Sequence, residues 1–363
     1  MTISPDNPSR DSAAAPPPVI WHDAERHAAF ERWLAPLAAA HRLVHDTLRP
    51  ASADASFRRY LRIDADGGSS NSLIVMDAPP PQEDVRPFVH VAALIEAAGL
   101  HGPAILAVDV ERGFLLLSDL GSTLYLDALR KAAAGEADRL MRDAIRALVQ
   151  WQGHVPARAL PSYDDAMLRR ELGLFPEWCV QREFGRAWTN AERQTWQHAC
   201  NTLVASALAQ PVVAVHRDWM PRNLMVADPN PGILDFQDAA AGPIAYDVTS
   251  LLRDAFLSWD EEREIDWAIR YWEAARRATL PVADDFGEFW RQLEWIGLQR
   301  HLKVLGIFCR LKHRDGKPKY AEDLPRFFAY ATKVAMRYRE LRPLLALLEP
   351  LSGIKAEVAF SMR

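Results

Sequence analysis

Six turn-forming residues, Ala227-Asp228-Pro229-Asn230-Pro231-Gly232, separate the short apolar runs Leu224-Met225-Val226 and Ile233-Leu234, and nothing else in the chain constrains its fold so tightly. Apolar runs on either side of a turn cluster predict a hairpin. Pairing about that turn sets Leu224 near Leu234 and Met225 near Ile233, which brings Asn223 and Asp235 together at the open end. Two hard oxygen donors then converge. Such a set suits Mg2+, which takes one or two carboxylates and fills its other positions with phosphate and water. Just upstream, Asp218 in His216-Arg217-Asp218 is left to orient and deprotonate an alcohol. An Asp base beside an Asn/Asp pair that could hold Mg2+ against a nucleotide's phosphates reads as a phosphotransfer site.

The segment from His216 to Asn223, taken with Asp235, resembles the catalytic loop and metal-binding Asp of the protein-kinase-like fold, in its aminoglycoside phosphotransferase branch. Asp235 is followed here by Phe236-Gln237-Asp238, where protein kinases have Phe-Gly. Further stretches narrow the resemblance: Ser56-Phe57-Arg58-Arg59-Tyr60, Val75-Met76-Asp77-Ala78-Pro79-Pro80, Phe114-Leu115-Leu116-Leu117-Ser118-Asp119-Leu120-Gly121 and Leu234-Asp235-Phe236-Gln237-Asp238-Ala239. They are similar to the bacterial anomeric sugar kinases of cell-wall recycling, which act on N-acetylmuramate and N-acetylglucosamine. The resemblance runs from Arg58 to Arg326. It implies an α+β, bilobal fold with a small antiparallel-sheet N-lobe and a larger, mainly helical C-lobe, and ATP-dependent phosphorylation of an anomeric hydroxyl. The alternatives are a kinase of another small alcohol (an aminoglycoside, choline or homoserine) and a non-catalytic nucleotide-binding homologue.

The pattern along the chain divides into a Pro-, Ala- and Ser-rich disordered leader over residues 1–25, an N-lobe over 26–117, a hinge over 118–123 and a C-lobe over 124–363. Helical spacing runs from His27 to Leu48; strand-like runs cover Phe57–Ile63, Ser72–Met76 and Phe114–Leu117, with a helix over Pro87–Ala98. Beyond the hinge, Glu136–Trp151, Glu261–Arg277 and Phe286–Lys312 read as amphipathic helices. His41 and His45 are four apart but have no third ligand to make a zinc site.

Kinases of this fold cradle ATP with a Gly-rich loop and a strand Lys. Neither is present: the first lysine is Lys131, and Met76 stands where the strand Lys is expected. Strand periodicity puts Arg59 on the face of Leu61 and Ile63, so its guanidinium either binds phosphate in the cleft or pairs with a carboxylate such as Asp77 or Glu83. At the hinge, Ser118, Asp119 and Leu120 are candidates for backbone contact with adenine. For the sugar the candidates are Asp238, three residues past the metal Asp, Glu177 beside Trp178, and Gln299, Arg300 and Lys303, in a stretch with eight basic residues and two acids from Arg291 to Tyr320. His216 reads as a brace for the loop, and Asp247 as a helix N-cap.

Composition sets the outer limits. A net charge of −5 over 363 residues argues against a nucleic-acid binder. The longest charge-free stretch, Ala199–Val215, is interrupted by Asn, Thr, Ser, Gln and Pro, so no membrane span is expected. Cys179, Cys200 and Cys309 have no metal or redox spacing. A cytoplasmic enzyme is expected, with ATP and an amino sugar as its small-molecule partners and no protein partner legible.

Overall fold

The computed structural model describes residues 18–52, 57–66 and 72–354. The chain divides into two compact units: one runs to Val89 and resumes over Pro103–Asp119, and the other comprises His90–Gly102 and the chain from Leu120 onward. The expected leader falls mostly outside the described residues. Where description begins, Trp21 is already packed, its ring 4.8 Å from those of both His27 and Phe30.

In the first unit, α1 (Ala24–His41) starts at Asp23, whose carboxylate accepts from the amides of Glu25 and Arg26. It stops at Arg42, which turns left-handed at φ 53°. The helix expected to reach Leu48 is therefore cut short, and Leu43–Ser52 is a strand, β1. His45 lies on that strand and bonds Glu31, so the two histidines never share a helix face. Then come β2 (Arg59–Ala65), β3 (Ser72–Asp77), α2 (Arg86–Ala97), which from His90 onward belongs to the second unit, β4 (Ile105–Asp109) and β5 (Phe114–Ser118). The five strands form one antiparallel sheet in the order β1-β2-β3-β5-β4.

Alternation along the strands puts Leu61 and Ile63 of β2, Leu73 and Val75 of β3, and Phe114 and Leu116 of β5 on one face, where they bury Phe30 and Leu34 of α1. Arg59 belongs to this covered face. Its Nε donates to Asp77 at 3.0 Å, its Nη1 to the Ile20 carbonyl at 2.9 Å, and its guanidinium stacks on Trp21 at 4.3 Å. Arg26 grips the other carboxylate oxygen of Asp77 at 2.6 Å. Of the two expectations for Arg59, the structure shows the ion pair: Asp77 is 1% exposed and is paired with both cations.

The second unit is mainly helical: α3 (Tyr125–Lys131), α4 (Ala134–His154), α5 (Asp165–Leu174), a π-helical stretch Phe175–Glu183, and α6 (Asn190–Leu208). Four short strands follow, β6 (Val212–Val215), β7 (Leu224–Met225), β8 (Gly232–Ile233) and β9 (Ala240–Pro243). The chain closes with α7 (Tyr246–Leu252), α8 (Glu261–Arg277), α9 (Phe286–His313), α10 (Leu324–Arg337) and α11 (Leu345–Ser352). Among the described residues no helix is long and apolar enough to cross a membrane. The central element is α9. At Gly306 a side-chain Cβ would lie 2.4 Å from the backbone of Leu174, so only glycine lets α9 approach the end of α5 this closely. Arg253, after α7, is buried between Glu264 of α8 and Glu294 of α9 at 3.1 and 2.9 Å, which fixes α7 against both.

Candidate active site

Strand β6 pairs with β9 and delivers the chain into His216-Arg217-Asp218. Two amides at that exit, those of His216 and Arg217, donate to the Asp247 carboxylate at 2.7 and 2.9 Å. Asp247 was expected to cap its own helix. Instead, from the first turn of α7, it braces a loop thirty residues back, because Arg217 is left-handed at φ 75° and presents consecutive amides to one carboxylate. His216 is wholly buried, accepts from the Asp218 amide at 3.3 Å and packs edge-on against Trp219. The loop therefore rests on a rigid floor, with the Asp218 side chain 36% exposed above it.

Two buried groups in that floor titrate in opposite senses. Burial pushes the His216 imidazole down to about 4, so the fold favours its neutral form, and the stability this gives above the unfolded value of 6.5 is lost as pH falls through about 4. Burial pushes the Asp247 carboxyl up to about 7 despite its two amide bonds, so the fold favours the protonated form and gains stability as pH falls from about 7 towards 3.8. Each masks the other. In Asp247→Asn the compensating gain disappears; at about 1.4 kcal/mol per tenfold in proton affinity, the rise from 3.8 to about 7 sets the scale at roughly 4 kcal/mol. Urea midpoints should therefore fall more steeply on acidification for the variant than for the wild-type chain. Parallel pH dependences would show that Asp247 does not carry the shift.

The hairpin forms, one residue out of the expected register: Leu224 faces Ile233 and Met225 faces Gly232. Val226 turns away to bond the Thr123 carbonyl at 2.8 Å, and Ile233 donates to the His101 carbonyl, so neighbouring segments decide the pairing. Asn223 consequently faces Leu234, whose amide donates to its carbonyl at 2.9 Å. Asp235 nevertheless reaches Asn223, because its own backbone goes left-handed at φ 58°. Asn223 Nδ2 lies 3.5 Å from Asp235 Oδ2 and donates to the Asp218 carbonyl at 3.0 Å, while Gln237 Nε2 holds Asp235 Oδ1 at 3.0 Å.

That donor set fits a hard cation. The Asn223 side-chain amide commits its nitrogen to protein acceptors, which leaves its oxygen to serve beside the Asp235 carboxylate as a second oxygen donor to an ion. Among the described residues no group of three or more His, Cys, Asp or Glu is placed to cage a metal. An ion at Asn223 and Asp235 would complete its coordination with phosphate and water, the habit of Mg2+.

The remaining candidates separate. Arg300 is 3% exposed, with Nη2 3.8 Å from Asp218 Oδ1. Gln299 is fully buried, its Nε2 facing Tyr163 Oη and Glu171 Oε2 at 3.4 and 3.3 Å, so it is closed to a sugar. Lys303 spends its ammonium on Glu171 at 2.8 Å and Tyr246 at 3.2 Å. Asp238 is exposed, and its carbonyl accepts from Arg217 Nη1 at 3.3 Å. Glu177 is exposed on the π-helical stretch. At the hinge, Ser118 ends β5; its amide donates to the Ala104 carbonyl and its hydroxyl oxygen accepts from the Ala104 amide. Asp119 takes Arg62 at 2.6 Å and Ser72 at 2.7 Å on its carboxylate; Leu120 lies against Gly232. Half of the basic run from Arg291 is held in close ion pairs: Arg291, Lys303, Lys312 and Arg314 each pair with a carboxylate at 2.6 to 2.8 Å.

Sequence reasoning missed Glu171, the buried carboxylate on which Arg217, Lys303, Gln299 and Tyr163 converge. Its signal was available. Leu168, Glu171 and Leu172 form the buried stripe of α5, and an acid on an apolar stripe needs partners.

Residues 47–286 match the phosphotransferase enzyme family. An N-acetylmuramate/N-acetylglucosamine kinase of Pseudomonas putida is 53% identical over 85% of this chain and 89% of its own length. One from Neisseria meningitidis serogroup B is 49% identical over 84% and 90%. Among solved structures, a Plasmodium vivax ethanolamine kinase superposes with a TM-score of 0.59 over 86% of this chain and 90% of its own, at 10% identity, which supports the fold alone. By its sequence, and with a fold to match, the chain belongs to the phosphotransferase enzyme family.

Proposed function

We propose that this chain transfers the γ-phosphoryl group of ATP to the anomeric hydroxyl of N-acetylmuramate and N-acetylglucosamine, in the cytoplasm, as a step of peptidoglycan recycling. The observation that carries the reading is the meeting of Asn223 and Asp235 beside an exposed Asp218 carboxylate. Relatives near 50% identity over most of both chains favour amino sugars over other alcohols.

Asp218 accepts the proton of the sugar hydroxyl as its oxygen forms the new bond to phosphorus and the bond to the ADP oxygen breaks. Asn223 and Asp235 are the residues that would hold Mg2+, which would supply positive charge to offset that of the phosphates. Arg300, 3.8 Å from Asp218, lends a buried positive charge beside the base. Asp238 and Glu177, both exposed, are proposed to take sugar hydroxyls. Positioning and electrostatics account for the catalysis.

The test is ATP consumption with each amino sugar, followed by phosphorus NMR of the product. Phosphate coupled to the anomeric proton is expected. Phosphate on another hydroxyl would overturn the assignment, and ATP binding without turnover on either sugar would favour a non-catalytic homologue.

A further inference from the structure

Glu171 stands outside the Asp218, Asn223 and Asp235 constellation, yet it is wired into it more thoroughly than a structural carboxylate requires. Its side chain is 8% exposed. Oε1 takes both Arg217 Nη2 at 2.6 Å and Lys303 Nζ at 2.8 Å, while Oε2 takes the Tyr163 hydroxyl and Gln299 Nε2. Four groups from three parts of the chain thus fix both oxygens. Burial alone would raise its pKa, but Lys303 and Arg217 outweigh that and hold the carboxyl below its ordinary value, so the group is ionised.

The partner that matters is Arg217, the residue immediately before Asp218. Its amide is on Asp247, its Nη1 is on the Asp238 carbonyl and its Nη2 is on Glu171, with the backbone between held left-handed. One side chain thereby joins the loop carrying the base to the turn carrying Asp235. We infer that Glu171 is a positioning residue: through Arg217 it fixes the Asp218 carboxylate relative to the Asp235–Asp238 turn, and Lys303 and Gln299 keep Glu171 in place instead of touching sugar. The inference rests on the kinase reading above.

Steady-state kinetics of Glu171→Gln, Arg217→Met and the double variant test it, alongside thermal denaturation. A misplacement of about 1 Å between base and phosphoryl group costs on the order of 10²-fold, so kcat should fall by roughly that factor in each single variant. KM for ATP should stay near the wild-type value. Because the two residues act as one linkage, the double variant should be scarcely worse than either single. Glu183→Gln, which breaks the Lys312 and His313 pairs to the same helix, should leave kcat unchanged. If Glu171→Gln does not accumulate folded, Arg217→Met carries the test, since it leaves the Glu171–Lys303 pair intact. The inference fails if the singles keep wild-type kcat, if their effects multiply, or if lost activity merely tracks lost folded protein. An inactive wild-type chain would instead sink the kinase reading itself.

Discussion

Asp218→Asn is expected to lower kcat by about 10²–10⁴-fold, the usual contribution of a positioned general base, while Mg-ATP binding stays close to wild type. The split follows from which atoms of Asp218 do what. Its carbonyl is structural, accepting from the Met220 amide at 2.9 Å and from Asn223 Nδ2 at 3.0 Å. Its carboxylate makes no contribution to the Asn223–Asp235 pair; it faces outward, with Arg300 at 3.8 Å. Asparagine keeps the backbone and the volume and removes only the proton acceptor. Initial rates with an amino sugar, paired with calorimetry of nucleotide binding, read the two quantities separately. Turnover within a factor of about two of wild type would remove Asp218 from the role of base, since general-base loss costs far more than that.

The parts of the site legible in the sequence are those whose geometry is settled within a short length of chain. Asp218, Asn223 and Asp235 span eighteen residues that include one hairpin, and apolar runs about a Pro- and Asn-rich turn specify that hairpin. The register was not legible. It depends on Val226 bonding Thr123 and Ile233 bonding His101, about a hundred residues upstream or more. Nor was the left-handed backbone at Asp235, which corrects for that register and which side-chain patterning does not encode.

The same distinction applies to other elements. Period-two alternation correctly put Arg59 with Leu61 and Ile63, but alternation names two faces without saying which one α1 covers. Helical spacing carried past His41 because Leu43 and Leu48 continue the apolar pattern; the break is a left-handed turn at Arg42, and β1 begins with a register that only β2 reveals. Gln299 and Lys303 are candidates for sugar contact in the sequence because it shows polar and charged groups, not their partners. Glu171, over a hundred residues away in the chain, absorbs them.

Asp235→Asn should behave differently from Asp218→Asn, losing Mg-dependent nucleotide affinity as well as turnover. Asparagine is among the residues that tolerate the left-handed backbone seen at φ 58°, so this change removes the charge and spares the local fold. Asp235→Ala would add backbone strain and confuse the two effects. With the carboxylate gone, the ion at this site keeps only neutral protein oxygens, and a cation that retains its waters readily then prefers solvent. The Mg2+ concentration for half-maximal rate should rise, and kcat should fall on the order of 10²–10³-fold, the scale of losing one preorganised stabiliser of transition-state charge. Titrating Mg2+ at fixed ATP, with calorimetry in the presence and absence of the ion, separates these effects. In Asp218→Asn the ion-dependent gain in nucleotide affinity survives and only transfer is lost; in Asp235→Asn that gain itself shrinks. If both variants retained the full gain, Asn223 and Asp235 would not be holding the ion, and their convergence would serve only to close the hairpin.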